Sequence, residues 1–254
     1  MPGEPRETAR RIFEQKYPEA DCLFLAGSVI RAEATPYSDL DLVVLFKRVD
    51  CAYRESFIFD DWRVEAFVHD VSTLKYFSIH KDKEVGRPAL PHMVLEGQVI
   101  PAHTELAKTV QSFARELISE GPPALTPEEI RLRRYLITDK VDDVRQPRSK
   151  SELIATGCQL YGAISDFYFR SQGLWSAEGK TILRKLKAHD PKFHDEFVDA
   201  FRNLFEAGDV AAVIALTEKI LHPQGGFLFD GFRLSAPQDW RLDEQKSQTG
   251  SVDV

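Results

Sequence analysis

The chain has 254 residues, of which 43% are hydrophobic, and its formal net charge at neutral pH is −7. This composition is typical of a globular protein with a substantial core, and the negative charge disfavours a surface that binds nucleic acids in general. No apolar run approaches the roughly 20 residues that a membrane-spanning helix requires, so a membrane protein is not expected.

The first predicted elements are a helix, a strand, a second helix and a second strand. Apolar residues recur with helical spacing over residues 6–17. Cys22–Ala26 is a wholly apolar run that predicts a strand, and Gly27 allows a tight turn after it. We expect a short helix over residues 28–34. The next strand is predicted over residues 39–46, which hold two aspartates and an otherwise apolar run.

The rest of the first half alternates short strands with short helices. Apolar and aromatic runs on either side of residues 60–61 predict a hairpin. Asp70 or Ser72 provides an N-cap for the helix that follows. In chain order we predict strands at 53–59 and 62–70, helices at 70–80 and 89–95, an edge strand at 98–100 and a helix at 104–119. These elements indicate a small mixed sheet with helices on one side.

A domain boundary is predicted at residues 121–123, a Gly-Pro-Pro run, because only helical patterns follow it. Residues 126–129 form a strong helix start, with a threonine N-cap, a proline in the first turn and a glutamate that completes a capping box. Helices are predicted at 127–144, 149–171, 178–188, 191–207 and 209–221. We therefore predict an α+β protein with a sheet domain over 1–120, a helical bundle over 121–235 and a disordered tail over 236–254.

Asp39 and Asp41 stand two apart in a predicted strand. Both carboxylates therefore point to one face of the sheet, while the apolar residues around them point to the other. A divalent cation removes the repulsion between two such carboxylates, and hard oxygen ligands suit magnesium. Gly27 and Ser28 lie where a strand would turn into a helix, a place where free backbone N–H groups attract phosphate. A metal site close to a phosphate site indicates phosphoryl or nucleotidyl transfer.

An Asp-x-Asp pair alone is weak evidence, because calcium loops also contain it. An EF-hand loop that began at Asp39 would need glycine at its sixth position and glutamate at its twelfth, where this chain has Val44 and Asp50. The full order of strand, Gly-Ser, helix, loop and Ser-Asp-x-Asp is more specific than the pair.

With this order of motifs the chain resembles the nucleotidyltransferase superfamily that includes DNA polymerase β-like enzymes. The resemblance covers roughly the first 100 residues and is closest to aminoglycoside nucleotidyltransferases and small AMP-transferring antitoxins. It rests on six residues: Gly27, Ser28, Arg31, Ser38, Asp39 and Asp41. It implies that two Mg²⁺ ions bridge Asp39 and Asp41 to a nucleoside triphosphate, and that a carboxylate from a neighbouring strand completes the site.

Glu65 is the candidate for this third carboxylate, either as a metal ligand or as a general base for a substrate hydroxyl. It is a lone acid inside an apolar strand, where a charge without a cationic partner is rare. The alternative is that Glu65 faces solvent or pairs with an arginine. Asp70 is the rival third acid, although its position before Ser72 favours a helix cap.

The resemblance also implies phosphate-binding roles. Ser28 is expected to hold the β- and γ-phosphates through its hydroxyl and backbone N–H. Arg31 lies one helical turn further on, and Ser38 contacts phosphate or braces the aspartate after it. Antibiotic-modifying relatives use a lysine of their helical domain against the triphosphate, and Lys180, with Arg184 behind it, is the candidate here. The alternative for Ser28 is an ordinary helix cap. The alternative for Arg31, Lys180 and Arg184 is that they are solvated basic side chains without a phosphate partner.

The pattern as a whole predicts a magnesium-dependent nucleotidyltransferase that moves AMP from ATP to a hydroxyl group of a small molecule. A net charge of −7 suits a polycationic acceptor such as an aminoglycoside, and the long helical half favours a small molecule over a protein. A protein AMP-transferase of toxin–antitoxin type and a nucleotide-binding sensor without turnover stay open as alternatives. The negative charge and the lack of an aromatic-basic motif disfavour nucleic-acid acceptors.

The expected location is the cytoplasm. The three cysteines are far apart and odd in number, which matches neither a disulfide framework nor a zinc site. The N-terminal residues show no pattern of a secretory signal. We expect the active site in the cleft where the acidic face of the sheet meets the basic helix.

Overall fold

The computed structural model describes residues 3–237 and residue 240. Within them, five strands form one sheet: β1 Cys22–Ala26, β2 Leu40–Leu45, β3 Tyr53–Phe59, β4 Trp62–His69 and β5 Gln98–Ile100. The α-helices are α1 Pro5–Lys16, α2 Val71–Phe77, α3 Ala89–Glu96, α4 Glu105–Glu120, α5 Pro127–Arg145, α6 Lys150–Arg170, α7 Thr181–His189, α8 Pro191–Ala207 and α9 Ala211–Leu221. None of these helices is long and apolar enough to cross a membrane. The predicted α+β class is confirmed.

The sheet is mixed, as predicted. Its strand order is β3-β4-β2-β1-β5. Strand β2 runs parallel to β4, and every other neighbouring pair is antiparallel. In this register Asp41 pairs with Ala26 on one side and with Glu65 on the other. The acidic positions of β2 and β4 therefore stand side by side.

Helices cover both faces of the sheet, which corrects the expectation of helices on one side. The apolar side of α1, which includes Ala9, packs against one face of the sheet. Strand β2 contributes Leu40, Leu42 and Val44 to that face. Helices α2, α3 and α4 pack against the other face, to which β2 contributes Val43. Because side chains alternate along a strand, Asp41 and Glu65 lie on the face that α2, α3 and α4 cover.

The helix predicted over residues 28–34 is absent from the structure, and that prediction is wrong. Residues 28–32 form turns, and Ala32 has a left-handed φ of 56°. The N–H of Glu33 donates to the C=O of Ser28 at 3.0 Å, a wider loop than one α-helical turn closes. A left-handed residue interrupts a right-handed helix, so no helix N-terminus is available here for a phosphate group.

Two N-caps predicted from the sequence are confirmed. At the start of α2, the Asp70 carboxylate accepts a hydrogen bond from the N–H of Thr73 at 2.8 Å. At the start of α5, the Thr126 hydroxyl accepts from the N–H of Glu129 at 3.2 Å, and the Glu129 carboxylate accepts from the N–H of Thr126 at 2.8 Å. These bonds satisfy backbone donors that the first turn of a helix otherwise leaves free.

The chain divides into two compact units. One unit comprises the part before residue 126 together with Tyr161–Asp199, and the other comprises Thr126–Leu160 together with the part after residue 199. This division differs from a single boundary near residue 121, because α7 belongs to the unit that holds the sheet. The tail predicted at 236–254 lies outside the described residues, apart from residues 236, 237 and 240.

Candidate active site

Asp39, Asp41 and Glu65 form a cluster of carboxylates. Asp39 directly precedes β2, Asp41 lies within β2, and Glu65 lies within β4. Parallel pairing places Asp41 beside Glu65, and one carboxylate oxygen from each of the three residues lies within 4.8 Å of the other two. All three residues are half-buried. The structure therefore brings together the three acids that the sequence analysis selected.

Gly27 determines the space beside Asp41. It directly follows β1, next to Ala26, the strand partner of Asp41, and its φ is +81°, a conformation that residues with a side chain rarely adopt. A Cβ atom at this position would overlap the Asp41 carboxylate. The absence of a side chain therefore allows the backbone to approach the cluster closely.

The carboxylates of the cluster repel one another. Burial, and to a smaller extent the charges of Asp39 and Glu65, raise the pKa of Asp41 to about 6, while Arg31 and Lys180 act in the opposite direction. The nearby cations therefore compensate only part of the negative charge. A divalent cation among these oxygens would remove the same repulsion.

Glu65 has a second partner on the neighbouring strand. Arg54 of β3 donates from Nη2 to Oε2 of Glu65 at 2.6 Å, so the alternative in which Glu65 pairs with an arginine is present together with the cluster. The Arg54 side chain is 56% exposed, and exposed ion pairs contribute about 0–1 kcal/mol. Arg54 can therefore release Glu65 to another cation at small cost.

Asp70, the rival third acid, is engaged elsewhere. One carboxylate oxygen accepts from the N–H of Thr73 at 2.8 Å and the other from the N–H of Val49 at 3.1 Å. Burial opposes the effect, but these backbone hydrogen bonds hold the pKa of Asp70 below its usual value. The carboxylate cluster does not include Asp70, which acts as a helix cap.

Ser28 and Ser38 meet in the segment between β1 and β2. Ser28 is only 7% exposed, and its hydroxyl donates to Oγ of Ser38 at 3.0 Å. Oγ of Ser38 in turn accepts from the N–H of Thr35 at 2.8 Å. These bonds link Ser28, which follows Gly27, to Ser38, which precedes Asp39. Ser38 therefore helps to hold in place the segment that leads into the cluster.

The three cations predicted from the sequence lie on the Asp41 side of the cluster. Oε2 of Glu33 lies 3.2 Å from Nε of Arg31 and 3.0 Å from Nη1 of Arg184. Nη1 of Arg31 also lies 3.0 Å from Oε2 of Glu96. Lys180 is exposed just before α7, and its charge acts on the cluster. Each cation is exposed, so Arg31 and Arg184 can exchange their present partners for an anionic ligand.

A cavity of about 430 Å³ opens beside Asp41, and we call it the basic pocket. Its walls come from the segment after β1, helix α3, the residues before α7 and α7 itself. Its cationic and polar side chains include Arg31, Arg87, His92, Ser176, Arg184 and Lys185. Glu96 and Glu178 also line it, paired with Arg31 and Arg87 respectively. A cavity with these cations beside an acidic cluster suits a polyanion together with metal ions.

The sequence model of the nucleotidyltransferase domain family matches residues 6–108. Residues 6–108 are therefore similar in sequence to nucleotidyltransferase domains. This range contains the three clustered carboxylates together with Gly27 and Ser28, and the match supports a transferase. Helix α7, which contributes Arg184 and Lys185 to the basic pocket, lies beyond the matched range.

No curated protein matches the chain significantly. Among solved structures, a nucleotidyltransferase-like protein from Exiguobacterium sibiricum 255-15 is similar, with a TM-score of 0.43 and 15% identity over 87% of this chain and 76% of that chain.

Two buried polar atoms in the wall of the basic pocket lack a partner. Ser176 is only 3% exposed, and its Oγ has no hydrogen-bond partner in the part of the chain that the structure describes. The same is true of Nε of Arg87, although the guanidinium pairs with Glu178. Buried polar atoms without a partner are uncommon, and a ligand or an ordered water in this pocket would satisfy both atoms. No sequence pattern singles out either residue.

Lys185 is a further residue of the basic pocket that the sequence analysis missed. Burial lowers its pKa to about 8. Its Nζ lies 3.5 Å from the C=O of Ser176 and 5.6 Å from the centre of the Phe169 ring. In the sequence, Lys185 stands three residues after Ile182 and one before Leu186, the buried residues of α7. A lysine on the apolar side of an amphipathic helix was the signal that could have identified it.

Proposed function

We propose that the chain transfers AMP from ATP to a hydroxyl group of a small molecule and releases pyrophosphate. One observation carries the proposal: the cluster of Asp39, Asp41 and Glu65 lies inside the nucleotidyltransferase domain and beside the basic pocket. An acidic cluster beside a cation-lined cavity suits a metal-bound triphosphate better than either feature alone.

The acidic cluster suits Mg²⁺. All three donors are carboxylate oxygens, which hard cations prefer, and burial together with the charges of Asp39 and Glu65 raises the pKa of Asp41. Mg²⁺ held by Asp39, Asp41 and Glu65 would neutralise phosphate charge and stabilise the pyrophosphate leaving group. Arg54 competes with the metal for Glu65, since it already occupies one oxygen of that carboxylate.

The triphosphate is proposed to lie in the basic pocket. Arg31 and Arg184 would exchange Glu33 for phosphate oxygens, which form stronger charge-assisted hydrogen bonds with guanidinium groups. Lys185 adds a partly buried positive charge, and Lys180 adds an exposed one beside the cluster. The Ser28 hydroxyl, now bonded to Ser38, is proposed to turn toward the β- and γ-phosphates.

The proposed transfer is tested with α-³²P-labelled ATP or GTP, MgCl₂ and a panel of acceptors. The panel includes aminoglycosides, which represent the polycationic acceptors that a net charge of −7 favours, and a cell lysate. We expect Mg²⁺-dependent transfer of label from ATP to a small molecule, and no transfer by the Asp39→Ala and Asp41→Ala variants. Equal labelling by wild-type and Asp41→Ala protein would exclude the metal site.

Other outcomes of the assay distinguish the alternatives. Label on a protein of the lysate would favour a protein AMP-transferase of toxin–antitoxin type. Binding of ATP without label on any acceptor would favour a sensor without turnover. Full activity of a Glu65→Gln variant would remove Glu65 from the mechanism, both as a metal ligand and as a general base.

A further inference from the structure

A second cavity, of about 400 Å³, lies on the same face of the sheet as the carboxylate cluster, and we call it the aromatic pocket. It is bounded by strands β3 and β4 and by helices α2 and α3. Its walls are mainly apolar and aromatic, and include Tyr53, Phe67, His69, Phe77, Leu90 and Met93. None of the cations assigned to the triphosphate lines it.

The aromatic pocket begins next to Glu65. Phe67 follows Glu65 by two residues on β4, so the two side chains share a face about 7 Å apart. Arg54 contacts both residues: it pairs with Glu65 at 2.6 Å, and its guanidinium carbon lies 4.8 Å from the centre of the Phe67 ring. Arg54 also lines the pocket and is largely exposed. A ligand that displaces Arg54 from Phe67 therefore reaches Glu65.

Helix α3 separates the two pockets. Its residues Ala89 and Met93 line both of them, whereas Asp41 lines the basic pocket and Arg54, the partner of Glu65, lines the aromatic pocket. In an in-line displacement the attacking and leaving oxygens lie on opposite sides of the phosphorus. With the triphosphate in the basic pocket, the aromatic pocket is the side from which an acceptor hydroxyl attacks.

The charge of the aromatic pocket restricts the chemistry of its ligand. Burial lowers the pKa of His69 to about 4, so its ring, which packs edge-on against Phe77 at 5.2 Å, is neutral at pH 7. Among the described lining residues the single carboxylate is Asp82, which accepts from the N–H of Leu90 at 2.7 Å at the start of α3. Arg54 is the single cation among them. The ammonium groups of a polycation would lose hydration against these mainly apolar walls, whereas an aromatic body would bury apolar surface.

We propose that the aromatic pocket binds the acceptor and that the acceptor is a neutral alcohol or phenol with an aromatic body. This inference rests on the proposed function and replaces a polycationic acceptor with a neutral one. The hydroxyl oxygen donates an electron pair to the α-phosphorus of ATP, and the bond from that phosphorus to the bridging oxygen breaks with its electron pair on pyrophosphate. The hydroxyl proton passes to the Glu65 carboxylate, and the products are the AMP ester of the acceptor and pyrophosphate.

The test uses 2-(2-naphthyl)ethanol, a fluorescent neutral aryl alcohol, as the probe. Its binding to the full chain is measured by fluorescence anisotropy with a non-hydrolysable ATP analogue and MgCl₂ present, so that turnover does not enter the result. The Phe77→Ala variant removes a wall of the aromatic pocket, and Tyr76→Ala is the matched control, since Tyr76 is an exposed neighbour on α2 that does not line the pocket. We expect Phe77→Ala to weaken binding at least fivefold and Tyr76→Ala to leave it unchanged.

Two results would overturn the inference: equal affinity of wild-type and Phe77→Ala protein for the probe, or transfer of label to an aminoglycoside at the same rate in both proteins. The second result would leave the proposed function intact. Probe binding that depends on Phe77, without transfer of label to any acceptor, would count against the proposed function and still support an aryl ligand in the pocket. The inference and the proposed function can therefore fail separately.

Discussion

Asp41 of β2 stands directly beside Glu65 of β4 in a parallel pair of strands, and both side chains lie on the same face of the sheet. Together with Asp39 they place three carboxylates within 4.8 Å of one another. Such a cluster opposes folding as long as its charge is uncompensated, and burial together with the charges of Asp39 and Glu65 raises the pKa of Asp41. A site of this kind is expected to gain stability from a cation and to lose that gain when one carboxylate is removed.

Mg²⁺ is therefore expected to stabilise the wild-type protein. At ten times the dissociation constant, binding contributes roughly 1.4 kcal/mol, which raises Tm by about 3–6 °C for a chain of this size. The Asp41→Asn variant should lose this shift, because the amide has no charge for the metal. It should also be at least as stable as wild type without Mg²⁺, since the repulsion is gone. The shifts are measured by differential scanning calorimetry with and without MgCl₂.

Asp61→Asn is the matched control for this experiment. Asp61 is exposed in the turn between β3 and β4, with a φ of 64° that asparagine also tolerates. The Asp61→Asn variant should keep the full rise in Tm that Mg²⁺ causes in the wild-type protein. A shift that persists in Asp41→Asn would place the metal elsewhere on the chain.

Gly27→Ala is expected to slow transfer strongly, because its Cβ atom would overlap the Asp41 carboxylate. A displacement of about 1 Å at a reacting centre costs about 100-fold in rate. Gly173→Ala is the control: its φ is +71°, similar to the +81° of Gly27, but open space surrounds it. Both variants should lose roughly 1 kcal/mol of stability from backbone strain, and only Gly27→Ala should lose activity per folded molecule. Similar activity losses in both would show that strain alone is responsible.

The acidic part of the site could be predicted from the sequence because local rules determine it. A period of two places Asp39 and Asp41 on one face, and the lone acid in the following apolar hairpin strand is Glu65. The parallel pairing of β2 with β4 makes these two short patterns neighbours. Asp70 illustrates the same principle, since its capping role depends on residues only three positions away.

The cationic part was predicted less well, because it depends on contacts between distant segments. Arg87, Ser176 and Lys185 reach one pocket from a loop before α3, a segment before α7 and α7 itself. No periodicity encodes such a meeting. The helix expected over 28–34 failed for a different reason: the left-handed conformation of Ala32 is a property of the folded turn that the alanine itself does not indicate.

Arg54→Met is expected to tighten Mg²⁺ binding. Methionine keeps apolar contact with Phe67 but frees the Glu65 oxygen that Arg54 now occupies at 2.6 Å. Since exposed ion pairs contribute about 0–1 kcal/mol, the dissociation constant for Mg²⁺ should fall about two- to fivefold. The dissociation constant is measured by isothermal titration calorimetry with MgCl₂. Arg63→Met, an exposed arginine on β4, serves as the control and should have no effect. Weaker Mg²⁺ binding by Arg54→Met would mean that Arg54 positions Glu65 for the metal instead of competing with it.

Binding of ATP should weaken as the pH rises above about 8, because Lys185 then loses its charge. Burial lowers the pKa of Lys185 to about 8 in the free protein, whereas a bound triphosphate would raise it by attraction. Below pH 8 the lysine is charged in both states and the affinity does not depend on it. Between the two pKa values binding takes up a proton, so the dissociation constant rises by up to about tenfold per pH unit.

Isothermal calorimetry with a non-hydrolysable ATP analogue from pH 7 to 9.5, in buffers of different ionisation enthalpy, measures both the affinity and the proton uptake. Lys185→Met should bind weakly at pH 7 and show no such slope, whereas Lys187→Met, on the exposed side of α7, should behave as wild type. The same slope in Lys185→Met and wild-type protein would assign the titration to another group and remove Lys185 from the triphosphate site.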